Sequence, residues 1–236
     1  MKNKVFLSLS LLAMSFNAAA FTQFKPAVLN AALLFEHDAT TGNVKHSLQW
    51  IRDVSGKLQA MTEVKYDRNG CFTNINMVDK ANGREFHLVN KDGVLTSFKG
   101  QHITGEINER CEITRLENEK GNYVLSYNVR GLLETMKEKD TGEVIELYEY
   151  QNGQLPVRIR NYKDKKDKRI FYSSGSAQFL DSEIVSKRGE STVRVKQSCA
   201  YTADGNADKC SLIASTDDNY RGSILIWISN HETDYF

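Results

Sequence analysis

The sequence predicts an all-β chain: an antiparallel meander of hairpins curving into a sheet, sandwich or barrel-like domain, stapled by disulfides. Three observations predict this. Turn signals containing glycine recur at gaps of about nine to fifteen residues. The segments between them alternate apolar and polar residues. Four cysteines lie in a chain whose start has the form of an export signal.

At the N-terminus, Lys2 and Lys4 supply a positive start, Val5 to Phe16 an apolar core, and Ala18-Ala19-Ala20 the small residues a signal peptidase reads. Residues 1–20 are therefore read as a signal peptide cleaved after Ala20, and residues 21–236 as a single all-β domain. An uncleaved anchor fits less well, because the apolar run is shorter than the roughly 20 residues a spanning helix needs. Removing Lys2 and Lys4 takes the 31 basic residues to 29 against 30 acidic ones, a net charge of −1. So balanced a chain has no electrostatic footprint for nucleic acid. Two prolines against fifteen glycines favour tight turns over long structured loops.

The mature start, Phe21 to Asn30, reads as a loosely held segment, and Ala31-Ala32-Leu33-Leu34-Phe35 fits a short helix and a first strand equally. From Glu36 the turn rhythm sets in. Leu58, Ala60, Thr62, Val64 and Tyr66 share one strand face, and Leu155, Val157 and Ile159 share another, opposite Arg158 and Arg160. Leu132 to Lys139 is assigned to strand, although it is long enough for two helical turns. Lys163 to Arg169 mixes charges as a solvated hairpin tip does. Ile224 to Ile228 (ILIWI) is apolar at every position and is expected to be a covered strand.

A finer repeat is superimposed. Tyr66 to Gly70, Tyr127 to Gly131 and Tyr201 to Gly205 read Tyr-polar-x-x-Gly, with looser copies ending at Gly153 and Gly175. A polar residue before the turn and a glycine at its end suit a type I turn closed by a glycine bulge. Cys199 and Cys210 bracket the last copy, so a bridge across that hairpin is favoured among the three possible pairings. Cys71–Cys111 follows by elimination. A metal site is the weaker reading of these thiols, since there is no CxxC and the five histidines are scattered.

The run VKQSC, ten residues, then CSLI, with the ending Asp234-Tyr235-Phe236, resembles the YnfC-like family of bacterial envelope lipoproteins. Gly70-Cys71-Phe72, Cys111-Glu112-Ile113 and Phe35 to Lys45 match as well. The resemblance implies a periplasmic or secreted location and a shared fold, with no activity attached. It does not extend to the lipidated cysteine of those relatives, because this chain has none before Cys71; no lipid anchor is expected.

Chemistry is hard to find. There is no G-x-S-x-G elbow, no S-x-x-K pair and no Walker pattern. Ser173, Ser174 and Ser176 crowd a turn glycine. His231-Glu232 starts a zinc-protease motif that Tyr235 breaks. Glu143, Glu146 and Glu149 lie in one hairpin, the last two on opposite faces. The aromatic C-terminus suits an outer-membrane barrel, but charges on both strand faces argue against one. No catalytic, cofactor or metal residue is assigned. Three roles follow: a non-enzymatic envelope protein that binds an envelope partner or supports a structure, which the sequence favours; a carrier of an apolar or glycan ligand; or a hydrolase whose acids converge only in three dimensions.

Overall fold

The computed structural model describes residues 24–151, 155–173, 180–216 and 224–236. The leader, its cleavage point, Gly153, Ser174, Gly175 and Ser176 lie outside these residues. Helix α1 (Pro26–Leu34) comes first. The strands follow as β1 (Val44–Asp53), β2 (Leu58–Tyr66), β3 (Phe72–Asp79), β4 (Arg84–Lys91), β5 (Val94–Gly100), β6 (Ile103–Ile107), β7 (Ile113–Asn118) and β8 (Gly121–Tyr127). They continue through β9 (Leu133–Glu138), β10 (Val144–Gln151), β11 (Leu155–Asn161), β12 (Lys166–Tyr172), β13 (Ser182–Arg188), β14 (Ser191–Tyr201), β15 (Ala207–Thr216) and β16 (Ile224–Tyr235). Each strand pairs antiparallel with its sequence neighbours, and β1 pairs with β16, so the meander closes into a barrel. Strand direction alternates. The hairpins β2–β3, β6–β7, β8–β9 and β14–β15 therefore share a first rim, while β3–β4, β11–β12 and β13–β14 share the second.

The first rim shows why the sequence turns where it does. Gly70, Gly131 and Gly205 donate their N–H groups to Asp67, Asn128 and Thr202, at 3.0, 2.9 and 3.0 Å. Their φ values of 91°, 75° and 81° are those a glycine tolerates. The register shifts next to Tyr66, Tyr127 and Tyr201, as a glycine bulge requires. A further copy runs from Asn108 to Glu112, with Cys111 at φ 64° in the glycine position. Ile107 and Cys111 replace the tyrosine and glycine, so the sequence pattern passes over it. A non-glycine residue there costs about 1–2 kcal/mol. The Cys71–Cys111 bridge, with Cα atoms 5.1 Å apart, ties this turn to the β2–β3 turn on the same rim. Cys199 and Cys210 stand directly opposite one another and form the second bridge.

A cylinder of sixteen strands is wider than side chains alone can fill. Helix α1 enters from the first rim and fills part of it. Pro26 starts the helix, where its missing N–H costs nothing. The sequence PAVLNAALL is apolar nearly all round, as a helix buried on every side must be. Val28, Ala31 and Phe35 pack on Val64, Ile75, Phe86, Leu88, Leu125 and Leu133, the inward residues of β2 to β9. Asn30, 3% exposed, is the polar exception. It donates to Gly131 O at 2.8 Å and accepts from Leu133 N at 2.9 Å. The described part of that start, Phe24 to Asn30, is thus an anchored plug rather than a loose segment.

The wall is apolar inside and polar outside. Between the buried residues, β2 to β9 turn Glu63, Lys65, Asn76, Lys99, Arg115 and Lys137 outward. A barrel spanning lipid has the reverse pattern. Three sequence expectations are corrected here. The bulge at Glu149–Tyr150 sets Pro156 opposite Tyr150, so the alternation from Ile159 breaks before Leu155. Lys166 to Arg169 belong to a strand and not to a hairpin tip. Ile224 to Ile226 are 69, 50 and 42% exposed and not covered, because their outer face meets solvent and their inner face meets an unfilled part of the lumen.

Two stability outcomes follow. Asn30→Ala leaves a buried N–H and a buried carbonyl unpaired and should cost about 2–3 kcal/mol in urea unfolding. Replacing Cys199 and Cys210 together by serine should cost about 3 kcal/mol under oxidising conditions, the chain-entropy value for so short a loop; unchanged thermal stability would show that the bridge does not hold this hairpin.

Candidate functional site

The helix ends in a left-handed residue. His37 N bonds Ala32 O at 3.1 Å and Glu36 has φ 52°, the helix-ending geometry in which glycine is usual. Glutamate takes the place because its carboxylate reaches Arg84 at 2.6 Å, and Arg84 also holds Asp79 at 2.9 Å. Burial alone raises the Glu36 carboxyl, but Arg84 and then Lys168 outweigh it and the net shift is downward. The chain then doubles back through the lumen to β1, carrying His37 and Asp38 past the inner faces of β1, β14 and β16.

Asp38 is the centre of a polar cluster there. Its carboxylate accepts from Gln49 Nε2 at 2.9 Å and Gln197 Nε2 at 3.0 Å. His231 Nε2 lies 3.5 Å from the same oxygen, and Ser229 Oγ lies 3.0 Å from the same ring nitrogen. Burial raises the Asp38 carboxyl against the opposing pull of His231, and burial lowers the His231 imidazole against the pull of Asp38. Both groups are pushed toward their neutral forms.

Serine, histidine and aspartate are together but do not make a relay. A relay needs the serine on one ring nitrogen and the carboxylate on the other. Here both face Nε2, and Ser229 is wholly inaccessible. The trio Asp38, Cys210 and His231 has its ligand atoms within 4.8 Å of one another. The Cys210 sulfur, however, is bonded to Cys199 and is no thiolate, which leaves two ligands where zinc takes at least three from protein. The cluster joins the returning segment to three strands.

The other groups singled out in the sequence are dispersed. Glu146 faces inward beside Asn161 and Tyr148, whereas Glu149 faces outward and pairs with Arg160. His46 is on the outside between Glu63 and Asp234, and His87 is on the outside beside Phe98. An outer groove lined by Glu149, Val157, Arg158 and Phe171 has its charges already paired, Arg158 with Asp167 and Glu149 with Arg160.

The feature that remains is the lumen itself. Most inward residues of β2 to β10, from Val64 and Ile75 to Leu133 and Tyr148, are buried around α1. On β11 to β16, Ser182, Gln197, Cys210, Ala214 and Ser229 are buried, but the inward residues Ile159, Lys168, Tyr172, Val195, Leu212 and Trp227 stay partly accessible. Glu36 keeps 51% of its side chain accessible although it lies inside the wall. The plug fills one side of the barrel and leaves a half-open chamber on the other, apolar in its middle and charged toward the second rim. Sequence alternation marks Val195, Gln197 and Cys199 as one face; nothing local marks that face as luminal, and nothing foretells that Asp38 reaches it.

Residues 1–236 match the model of an uncharacterised protein family (UPF0257). No curated protein matches the chain in sequence. Among solved structures, a porin-like protein from Bacteroides uniformis aligns with a TM-score of 0.56 at 14% identity, over 83% of this chain and 98% of that one. The likeness is one of fold. A structure of MucB in complex with MucA(peri) aligns at 9% identity over 80% of this chain and 88% of that one, with a TM-score of 0.15, too low to bear on the fold.

The buried histidine yields a pH outcome. Neither ring nitrogen of His37 has a partner, and burial lowers its pKa from 6.5 to about 4. Below pH 6.5 the unfolded chain takes up a proton that the folded chain does not. The stability tied to this group is therefore complete above pH 6.5 and is lost as the pH falls toward 4. His37→Leu should shrink the loss of unfolding free energy between pH 7.5 and 4.5 by about 2.5 kcal/mol. An unchanged pH slope in urea titrations would show the imidazole to be protonated in the fold.

Proposed function

We propose, for a chain that belongs over its whole length to the uncharacterised protein family UPF0257, that it is an exported, non-enzymatic binding protein of the bacterial envelope whose ligand lies in the open half of the barrel lumen. The half-filled lumen carries this reading. A folded chain that closes a wide barrel and plugs one side only keeps a concave, mainly apolar chamber with a few polar groups, the usual form of a small-molecule site. Export is supported by the two disulfides and by the leader-like residues 1–20. The resemblance to YnfC-like envelope lipoproteins belongs to the same reading, as does a single domain over residues 21–236. The polar outer wall suits a water-exposed barrel.

Binding to an envelope protein is a second reading, favoured by one observation. Ile213, Ile224 and Ile226 form an exposed apolar strip on the outer faces of β15 and β16, between 42 and 69% accessible.

The chain has two tryptophans, and the structure separates them: Trp50 faces outward and Trp227 inward. Trp50→Phe therefore leaves a reporter in the chamber. Envelope lipid or glycan extracts that contain the ligand should shift the emission of Trp227 and raise the melting temperature together. Extracts that move neither would count against a luminal ligand, and capture of one abundant protein on the outer strip would then favour the second reading.

A further inference from the structure

The geometry points to an anion-binding site in this chamber, formed by Lys168 with Lys166 and Arg188 at the second rim, that holds the phosphate or carboxylate head of an amphiphile whose apolar tail lies along the inner faces of β12 to β15. It rests on the luminal reading above and names the ligand class for that same site.

Register places the three cations on one face. Lys168 is opposite Ile159, which is opposite Tyr148 of the buried core, so Lys168 faces inward. Two residues along the same strand, Lys166 also faces inward, and its partner across the next ladder is Arg188. The intervening Asp167 faces outward and is held by Arg158 at 2.8 Å. Among the described residues, Lys166, Lys168 and Arg188 have no hydrogen bond and no ion pair.

The acids facing them are already engaged. Glu36 is bonded to Arg84, Asp38 to Gln49 and Gln197, and Glu146 to Asn161 at 2.8 Å and to the Tyr148 hydroxyl. Enclosure lowers the Lys168 ammonium even against the pull of Glu36, as expected of a cation lacking a contacting counter-ion. An enclosed ammonium without a contacting counter-ion is costly to keep, and an anion delivered to it relieves that cost. Beyond Lys168 the inner faces turn apolar, through Ile170, Ile184 and Val195. A charged head at the rim with a tail along this wall satisfies both surfaces.

The test is calorimetric titration of the full mature chain with n-octyl phosphate, octanoate and n-octyl glucoside, three probes that share a tail and differ in head. The anionic probes should bind at least about tenfold more tightly than the glucoside. Lys168→Gln should erase that preference, leave the glucoside affinity unchanged and not lower the melting temperature. Lys166→Gln and Arg188→Gln should each weaken anion binding a few-fold, and Lys196→Gln, on the outer wall, should not. A preference for phosphate over carboxylate would indicate a phosphorylated lipid as the source, and the reverse a fatty acid. Equal binding of all three probes, insensitive to Lys168→Gln, would overturn the anion site and leave the luminal reading standing. Tight anion binding untouched by all three luminal variants would also overturn it. Failure of every probe to bind, with no shift of Trp227 emission, would overturn the luminal reading itself.

Discussion

Everything in this structure follows from the width of a sixteen-strand barrel. Strand pairing runs all the way round the wall once β1 meets β16, and the sheet has no edge strand. Closure at that strand number encloses more space than inward side chains can fill. The apolar inner residues of β2 to β9 would be wetted if nothing entered. The chain answers with its own N-terminal segment, a short helix with almost no polar face, threaded into the lumen and held by Asn30 to β9 and its turn. A nine-residue helix is too small to occupy the whole section, and the polar character of the lumen changes where its reach ends.

That partial filling sorts the buried charges. Where the plug meets the wall, most charged and amide groups find a partner within the protein, Glu36 with Arg84, Asp38 with two glutamines, Asn206 with Thr41 and Tyr235, while the His37 ring has none. Such paired networks fix one arrangement of plug and wall. The Asp38–His231–Ser229 cluster is of this kind. Its members resemble a catalytic set by residue type only, and the shared ring nitrogen gives them a different role. On the unfilled side Lys166, Lys168 and Arg188 have no side-chain partner among the described residues, and the proposed anion site rests on that difference.

The porin-like neighbour shares the topology, while the wall here has the opposite polarity from a lipid-facing one. One fold serves either solvent, depending on which of two alternating faces carries the apolar residues, and a likeness of fold therefore implies nothing about what passes through or binds inside. What distinguishes this chain is the pairing of a polar outer wall with an apolar, plugged interior. The two disulfides both lie at or near the rim through which the plug enters and brace the hairpins around it.

The sequence alone determined the local geometry. Alternation specified the strands, and the Tyr-polar-x-x-Gly repeats specified type I turns with glycine bulges, because those turns depend only on a few adjacent residues and on the freedom of one glycine. The position of Cys199 and Cys210 around such a turn made their pairing legible for the same reason. Barrel closure was decided only by tertiary structure: the pairing of Trp50 with Asn230 joins residues at opposite ends of the chain, and no local pattern encodes it. The inside was decided there too. Alternation states that Lys168 and Ile159 differ in face from Arg158 and Asp167, but which face is luminal depends on closure and on where the helix comes to rest. The helix itself was half legible, since Ala31 to Phe35 fits either element and only burial on all sides selects one. Asp38 and His231 are 193 residues apart and meet only because the plug doubles back inside the wall.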